Sequence, residues 1–189
     1  HFRWDSFSTH FCKVGTESFN KNKILFIGDS ITAEGIRPRG FITKLESLLQ
    51  AETETICAKG ATSVQIISLV ESNTLNFRPD YIIAQSGIND LISGVSEKET
   101  KNAQNKLLES IHSTFPSAIV LFIPIHPFFK EKNFFIPSNR PPTKIHLYSW
   151  WENPKKFAQD YLVKDGIHLN AQGHTLLGQN LAHQLTVNI

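Results

Sequence analysis

Ser30, Asn89, Asp165 and His168 are residues of the types that acyl transfer needs, and each stands after an apolar run or in a tight turn. Ser30 closes Gly28-Asp29-Ser30, where the run KILFIG ends. A serine hydroxyl there is a candidate nucleophile, provided that a base takes its proton. His168 is the candidate base. Asp165 precedes it by three positions with Gly166 between them. That spacing allows a turn in which the carboxylate reaches Nδ1 and leaves Nε2 free for a serine hydroxyl, fixing the tautomer and stabilising the imidazolium. The tetrahedral intermediate carries an oxyanion and needs donors. Asn89, in SGINDL, offers a side-chain amide; Gly60, in GATS, offers an unobstructed backbone N–H; the N–H of Ser30 is a third. Each residue alone has an ordinary use. Serine after Gly-Asp caps helices, Asn-Asp after glycine makes turns, and a histidine between Ile167 and Leu169 suits a core. The set, rather than any member, points to chemistry.

These residues need a scaffold, and from Lys23 onward the pattern is regular. KILFIG, TETICA, DYIIAQSG and SAIVLFIP read as four short buried strands. GFITKLESLLQA, SVQIISLVES, residues 97–114 and NAQGHTLLGQNLAHQL read as helices, with Leu107, Leu108 and Ile111 on one face of the third. Alternation of strand and helix predicts a three-layer α/β sandwich around a parallel sheet of about five strands. Ligands of such sheets sit outside the carboxyl ends of the strands. Ser30, Gly60 and Asn89 follow the first, second and third strands respectively. Residues 1–22 hold Phe2, Trp4, Phe7, Phe11 and Phe19 without periodicity and read as a lead-in or linker; residues 23–189 read as the domain.

In this order and spacing the four signatures resemble those of the SGNH hydrolases, also called the GDSL family, from Gly28 to His168. The resemblance implies a flavodoxin-like strand order and a serine esterase. Ser30 is then the nucleophile, Asp165 and His168 complete its triad, and Ser30, Gly60 and Asn89 form the oxyanion hole. One departure is visible. The family often has an asparagine shortly before the second-block glycine, and this chain has Thr55-Ile56-Cys57-Ala58-Lys59 there. An α/β-hydrolase runs its triad in the same order, but it needs a G-x-S-x-G elbow that this chain lacks.

Other features narrow the partners. A net charge of +2 gives no ground for nucleic acid or an anionic membrane surface, and no apolar run approaches the roughly 20 residues of a spanning helix. Eight histidines show no metal-ligand spacing, so neither metal nor organic cofactor is expected. Cys57, in TICA, reads as a buried thiol, and a Cys12–Cys57 disulfide stays open. The chain opens without Met, and the expectation is a product processed or excised from a longer one; this leaves the compartment unassigned, with a lean to a secreted or extracytoplasmic setting. Residues from His126 to Phe157 look irregular; Phe128, Phe129, Phe134, Phe135, Trp150 and Trp151 there read as cover for the sheet edge before they read as a sugar site or acyl groove. Asp29 and His126, at the ligand end of the sheet, are candidate substrate contacts. Arg37 and Arg39 are candidates for an anionic group, with a solvated face as the ordinary alternative. A short chain without a separate lid favours a small acyl group, such as acetyl on a carbohydrate. The alternatives are a lipid-directed esterase or lysophospholipase, an O-acetyltransferase domain, and a glycan-binding module without activity.

Overall fold

The computed structural model of the protein describes residues 22–138, 151 and 153–188. Its four parallel strands are β1 (Lys23–Gly28), β2 (Glu52–Cys57), β3 (Tyr81–Ala84) and β4 (Ile119–Phe122), in the order β2-β1-β3-β4. This is the flavodoxin-like order without its last strand. The register pairs Gly28 with Cys57 and Ile27 with Ala84, so β1, β2 and β3 end at one level.

The strand residues alternate between two cores. Ile24, Phe26, Ile83 and Leu121 face one; Leu25, Ile27, Ile82, Ala84, Val120 and Phe122 face the other. Period-2 alternation of apolar residues on both faces is what a sheet covered by helices on each side requires. On the first face lie α2 (Phe41–Leu49), α6 (Pro154–Tyr161) and α7 (Ala171–Asn188), through Phe41, Ile42, Leu45, Phe157, Leu177, Leu181 and Leu185. On the second lie α3 (Ser63–Glu71) and α5 (Glu97–Thr114), through Ile66, Val70, Leu107 and Ile111. The edge strand β2 exposes Glu52 and Glu54, charges that discourage pairing with another chain.

The expected elements are present at nearly the expected bounds, with three differences. Among the described residues the sheet has four strands, the four that the apolar runs mark, and not five. Two short helices, α1 (Ser30–Gly35) and α4 (Ile88–Ile92), begin directly after the first and third strands. The segment expected to be irregular contains an antiparallel hairpin, β5 (Phe128–Lys130) with β6 (Asn133–Phe135), and the start of α6. In that hairpin Phe128 pairs with Phe135 and Phe129 with Phe134, and all four rings pack against the first core. Cys57 is a half-buried free thiol. Cys12, Trp150 and the aromatic lead-in lie outside the described residues.

Candidate active site

Ser30 is the first residue of α1, positioned by a turn that only glycine permits at its start. A Cβ on Gly28 would stand 2.1 Å from Thr32 Oγ1 and 3.1 Å from the Gln85 carbonyl oxygen. Asp29 caps the helix, its Oδ1 accepting the Ile31 N–H at 2.9 Å. Ser30 Oγ then lies 2.8 Å from His168 Nε2.

The histidine arrives on a loop between α6 and α7. The loop is closed by a bridge between Leu162 and Leu169 and by a bond from the Val163 N–H to the His168 carbonyl. Asp165 organises the turn as well as the ring. Its Oδ1 accepts the N–H groups of Ile167 and His168 at 2.8 and 3.0 Å, and its Oδ2 lies 2.7 Å from His168 Nδ1. Partial burial pushes the Asp165 carboxyl up, but the bonds from His168 and from the two backbone N–H groups outweigh it and hold the carboxyl below the usual range. An ionised Asp165 takes Nδ1–H, so Nε2 is the acceptor for the serine hydroxyl. Gly166 crosses the turn at a φ of +73°, and a Cβ there would press on Phe129 at 2.8 Å.

The aromatic hairpin braces this loop. The Phe129 N–H donates to the Gly166 carbonyl at 2.8 Å, and His126 Nε2 bonds the Ile167 carbonyl at 2.8 Å. His126 is therefore not a substrate contact. It is almost fully buried, with its ring against Phe157, and it positions the residue next to His168. Burial pushes its pKa down to about 4, against the stabilising bond to Ile167. Asp29 is corrected in the same way. It is fully buried, out of reach of substrate, and its Oδ2 accepts from Gln85 Nε2 at 3.1 Å and Asn89 Nδ2 at 3.2 Å. Burial pushes its pKa up to about 6, against the bonds from Ile31 and Gln85.

Asn89 ties the blocks together. Its Nδ2 donates to Asp29, beside Ser30, and to the Ala61 carbonyl, beside Gly60, at 3.0 Å. Both amide hydrogens are thus engaged, and donation to an oxyanion requires one of them to be shared. Gly60 lies in an exposed turn at a φ of +72°. Among the described residues, no hydrogen bond uses the N–H of Ser30 or of Gly60. Sequence reasoning missed the buried polar layer behind the site. Asp90 Oδ2 accepts the N–H and Oγ of Ser63 at 2.9 and 3.1 Å, and Gln104 donates to the Ser86 carbonyl at 2.8 Å. The signal was present in Gln85-Ser86, two polar residues directly after an apolar strand. Among the described residues no three His, Cys, Asp or Glu side chains are grouped to hold a metal ion, and no helix is long and apolar enough to cross a membrane.

Asp29 and His126, both buried, make opposing predictions for stability. The Asp29 pKa stands above its ordinary 3.8, so its contribution is greatest below pH 3.8 and is lost as pH rises through about 6. The His126 pKa stands below its ordinary 6.5, so its contribution is full above pH 6.5 and is lost as pH falls through about 4. Each is worth roughly 3 kcal/mol, and over the same window they offset each other. Urea unfolding at pH 4, 5.5 and 7 should show Asp29→Asn gaining on wild type as pH rises and His126→Gln gaining as pH falls. Variant profiles parallel to that of wild type would contradict both assignments.

The model of the GDSL-like lipase/acylhydrolase family matches residues 26–144. No curated protein sequence matches the chain. Solved structures do. A lipolytic protein of the G-D-S-L family from Veillonella parvula is 13% identical, with a TM-score of 0.68, over 87% of this chain and 98% of that one. The psychrotrophic esterase EstA from Pseudoalteromonas is 16% identical, with a TM-score of 0.66, over 89% and 100%. The lipase/acylhydrolase from Enterococcus faecalis is 17% identical, with a TM-score of 0.64, over 88% and 96%. At these identities the likeness is one of fold.

Proposed function

Since the chain belongs to the GDSL-like lipase/acylhydrolase family, it is a serine ester hydrolase, and we propose that it removes short acyl groups, acetyl on a carbohydrate foremost, through an acyl enzyme on Ser30. Ser30 Oγ attacks the ester carbonyl as His168 Nε2 takes its proton. The carbonyl oxygen becomes an oxyanion held by the N–H groups of Ser30 and Gly60 and by Asn89. Collapse of the tetrahedral intermediate breaks the ester bond, and the proton on Nε2 goes to the leaving alcohol. Water then repeats the sequence on the acyl enzyme, with His168 as base, and releases the carboxylic acid. Asp165 keeps Nδ1 protonated throughout. The observation that carries the reading is the continuous chain Ser30 Oγ–His168 Nε2 and His168 Nδ1–Asp165 Oδ2, at 2.8 and 2.7 Å.

One feature favours a small acyl group. Phe128 is buried in the first core, and Phe129, Phe134 and Phe135 are half-buried against it, which limits the surface they can offer as walls of an acyl groove. A p-nitrophenyl ester series should give the highest kcat/KM for acetyl or propionyl and a steady fall to octanoyl. Each methylene that instead finds apolar surface gains up to about 0.8 kcal/mol, close to fourfold. A rise toward long chains would replace this reading with the lipid-directed one.

A further inference from the structure

We propose that the cavity beside His168 is a subsite for an anionic group, a carboxylate or phosphate, on the alcohol portion of the ester, with the Arg39 guanidinium as its partner. The inference rests on the reading of His168 as the acid that protonates the leaving alcohol. An alcohol that takes its proton from Nε2 must depart past the imidazole. The cavity, about 420 Å³, shares that imidazole as part of its wall, together with Glu34, Arg37, Arg39 and His174. This volume is within the range of small-molecule sites.

Two observations single out Arg39. The first is charge. The acids of the wall are already committed, Glu34 to Arg37 at 3.8 Å and Asp165 to His168 and two backbone N–H groups. Arg39 has no acidic partner among the described residues. An entering ligand therefore meets one uncommitted guanidinium, whose planar fork matches carboxylate and phosphate. The second is backbone. The Gly40 N–H bonds the Arg37 carbonyl at 2.7 Å, with Pro38 and Arg39 as the central pair of the turn, and Arg39 has a φ of +71°. That is the pattern of a type II turn, whose third place ordinarily holds glycine. An arginine kept there bears strain of the kind found at ligand clamps.

The test compares three acetyl esters of similar shape: 4-acetoxybenzoate, 4-acetoxyphenyl phosphate and the neutral 4-acetoxybenzamide. Wild type should favour an anionic ester over the neutral one by about tenfold in kcat/KM at low salt, and the preference should shrink at high salt. Whether the benzoate or the phosphate gains more tells a carboxylate site from a phosphate site. In Arg39→Gly, which takes the left-handed backbone without strain and should melt no lower than wild type, the ratio should fall toward one. Arg39→Lys should restore part of it. A wild-type ratio of one, or an unchanged ratio in Arg39→Gly, overturns the proposal. Calorimetric binding of 4-hydroxybenzoate and of 4-hydroxyphenyl phosphate separates this idea from the esterase reading. If wild type hydrolyses no ester at all, that reading fails. Weaker binding of either anion to Arg39→Gly still supports the subsite, and equal binding of both overturns it.

Discussion

Ser30→Ala should lower kcat on p-nitrophenyl acetate by about 10⁴–10⁶, the range for removing the nucleophile of a serine hydrolase. The variant should keep its melting temperature. Among the described residues the hydroxyl makes one bond, to His168 Nε2, and the residue that caps α1 is its neighbour Asp29. What remains in the variant is whatever the oxyanion donors and substrate positioning achieve with water as nucleophile. A fluorophosphonate probe gives an independent reading, since it should label wild type at Ser30 with one equivalent and leave Ser30→Ala untouched. Labelling of the variant at another serine would move the nucleophile elsewhere, and a loss below about tenfold would remove Ser30 from the reaction.

Asp165→Asn should cost about 10⁴ in kcat with little change in stability, by the tautomer argument established for such triads. The asparagine Oδ1 can still accept the Ile167 and His168 N–H groups that shape the turn. Its Nδ2 then faces His168 Nδ1 in place of Oδ2, donor against donor. The imidazole escapes by carrying its proton on Nε2, the atom that must accept from Ser30. The base is lost while every heavy atom stays in place. Fluorophosphonate labelling should slow in parallel with kcat, because both need the activated hydroxyl, and imidazole ¹⁵N shifts should report the change of tautomer. An activity loss under tenfold, or labelling at the wild-type rate, would show that another group orients His168.

These expectations all involve local pieces, and local pieces were legible in the chain. Apolar runs of strand length stand between segments of helical period, and a parallel sheet with two covered faces follows from that alternation. The four runs became the four strands. Asp165 and His168 stand three positions apart, so a single turn through Gly166 brings them together, and Phe129 and His126 brace that turn. Ser30 after a β-strand in Gly28-Asp29-Ser30 is local in the same sense: glycine is needed where Thr32 and the Gln85 carbonyl crowd its Cα.

The meeting of Ser30 with His168, across 138 positions, was expected from residue types and from the resemblance, and the fold realises it by ending β1 beside a loop that α6 and α7 hold in place. Burial was the property hardest to read ahead. Asp29 and His126 stand at the ligand end of the sheet in sequence, where a polar side chain looks like a substrate contact. In the structure Gln85 and Asn89 close over the one and Phe157 and the Ile167 carbonyl over the other, so both became supports for the residues beside them. The aromatic stretch after β4 likewise gained its role from partners far along the chain, since Phe129 bonds Gly166. Residue type and spacing dictate what a side chain can do with its neighbours in sequence. Whether it meets water, substrate or core depends on surfaces brought in from elsewhere, and only packing of the whole chain decides that.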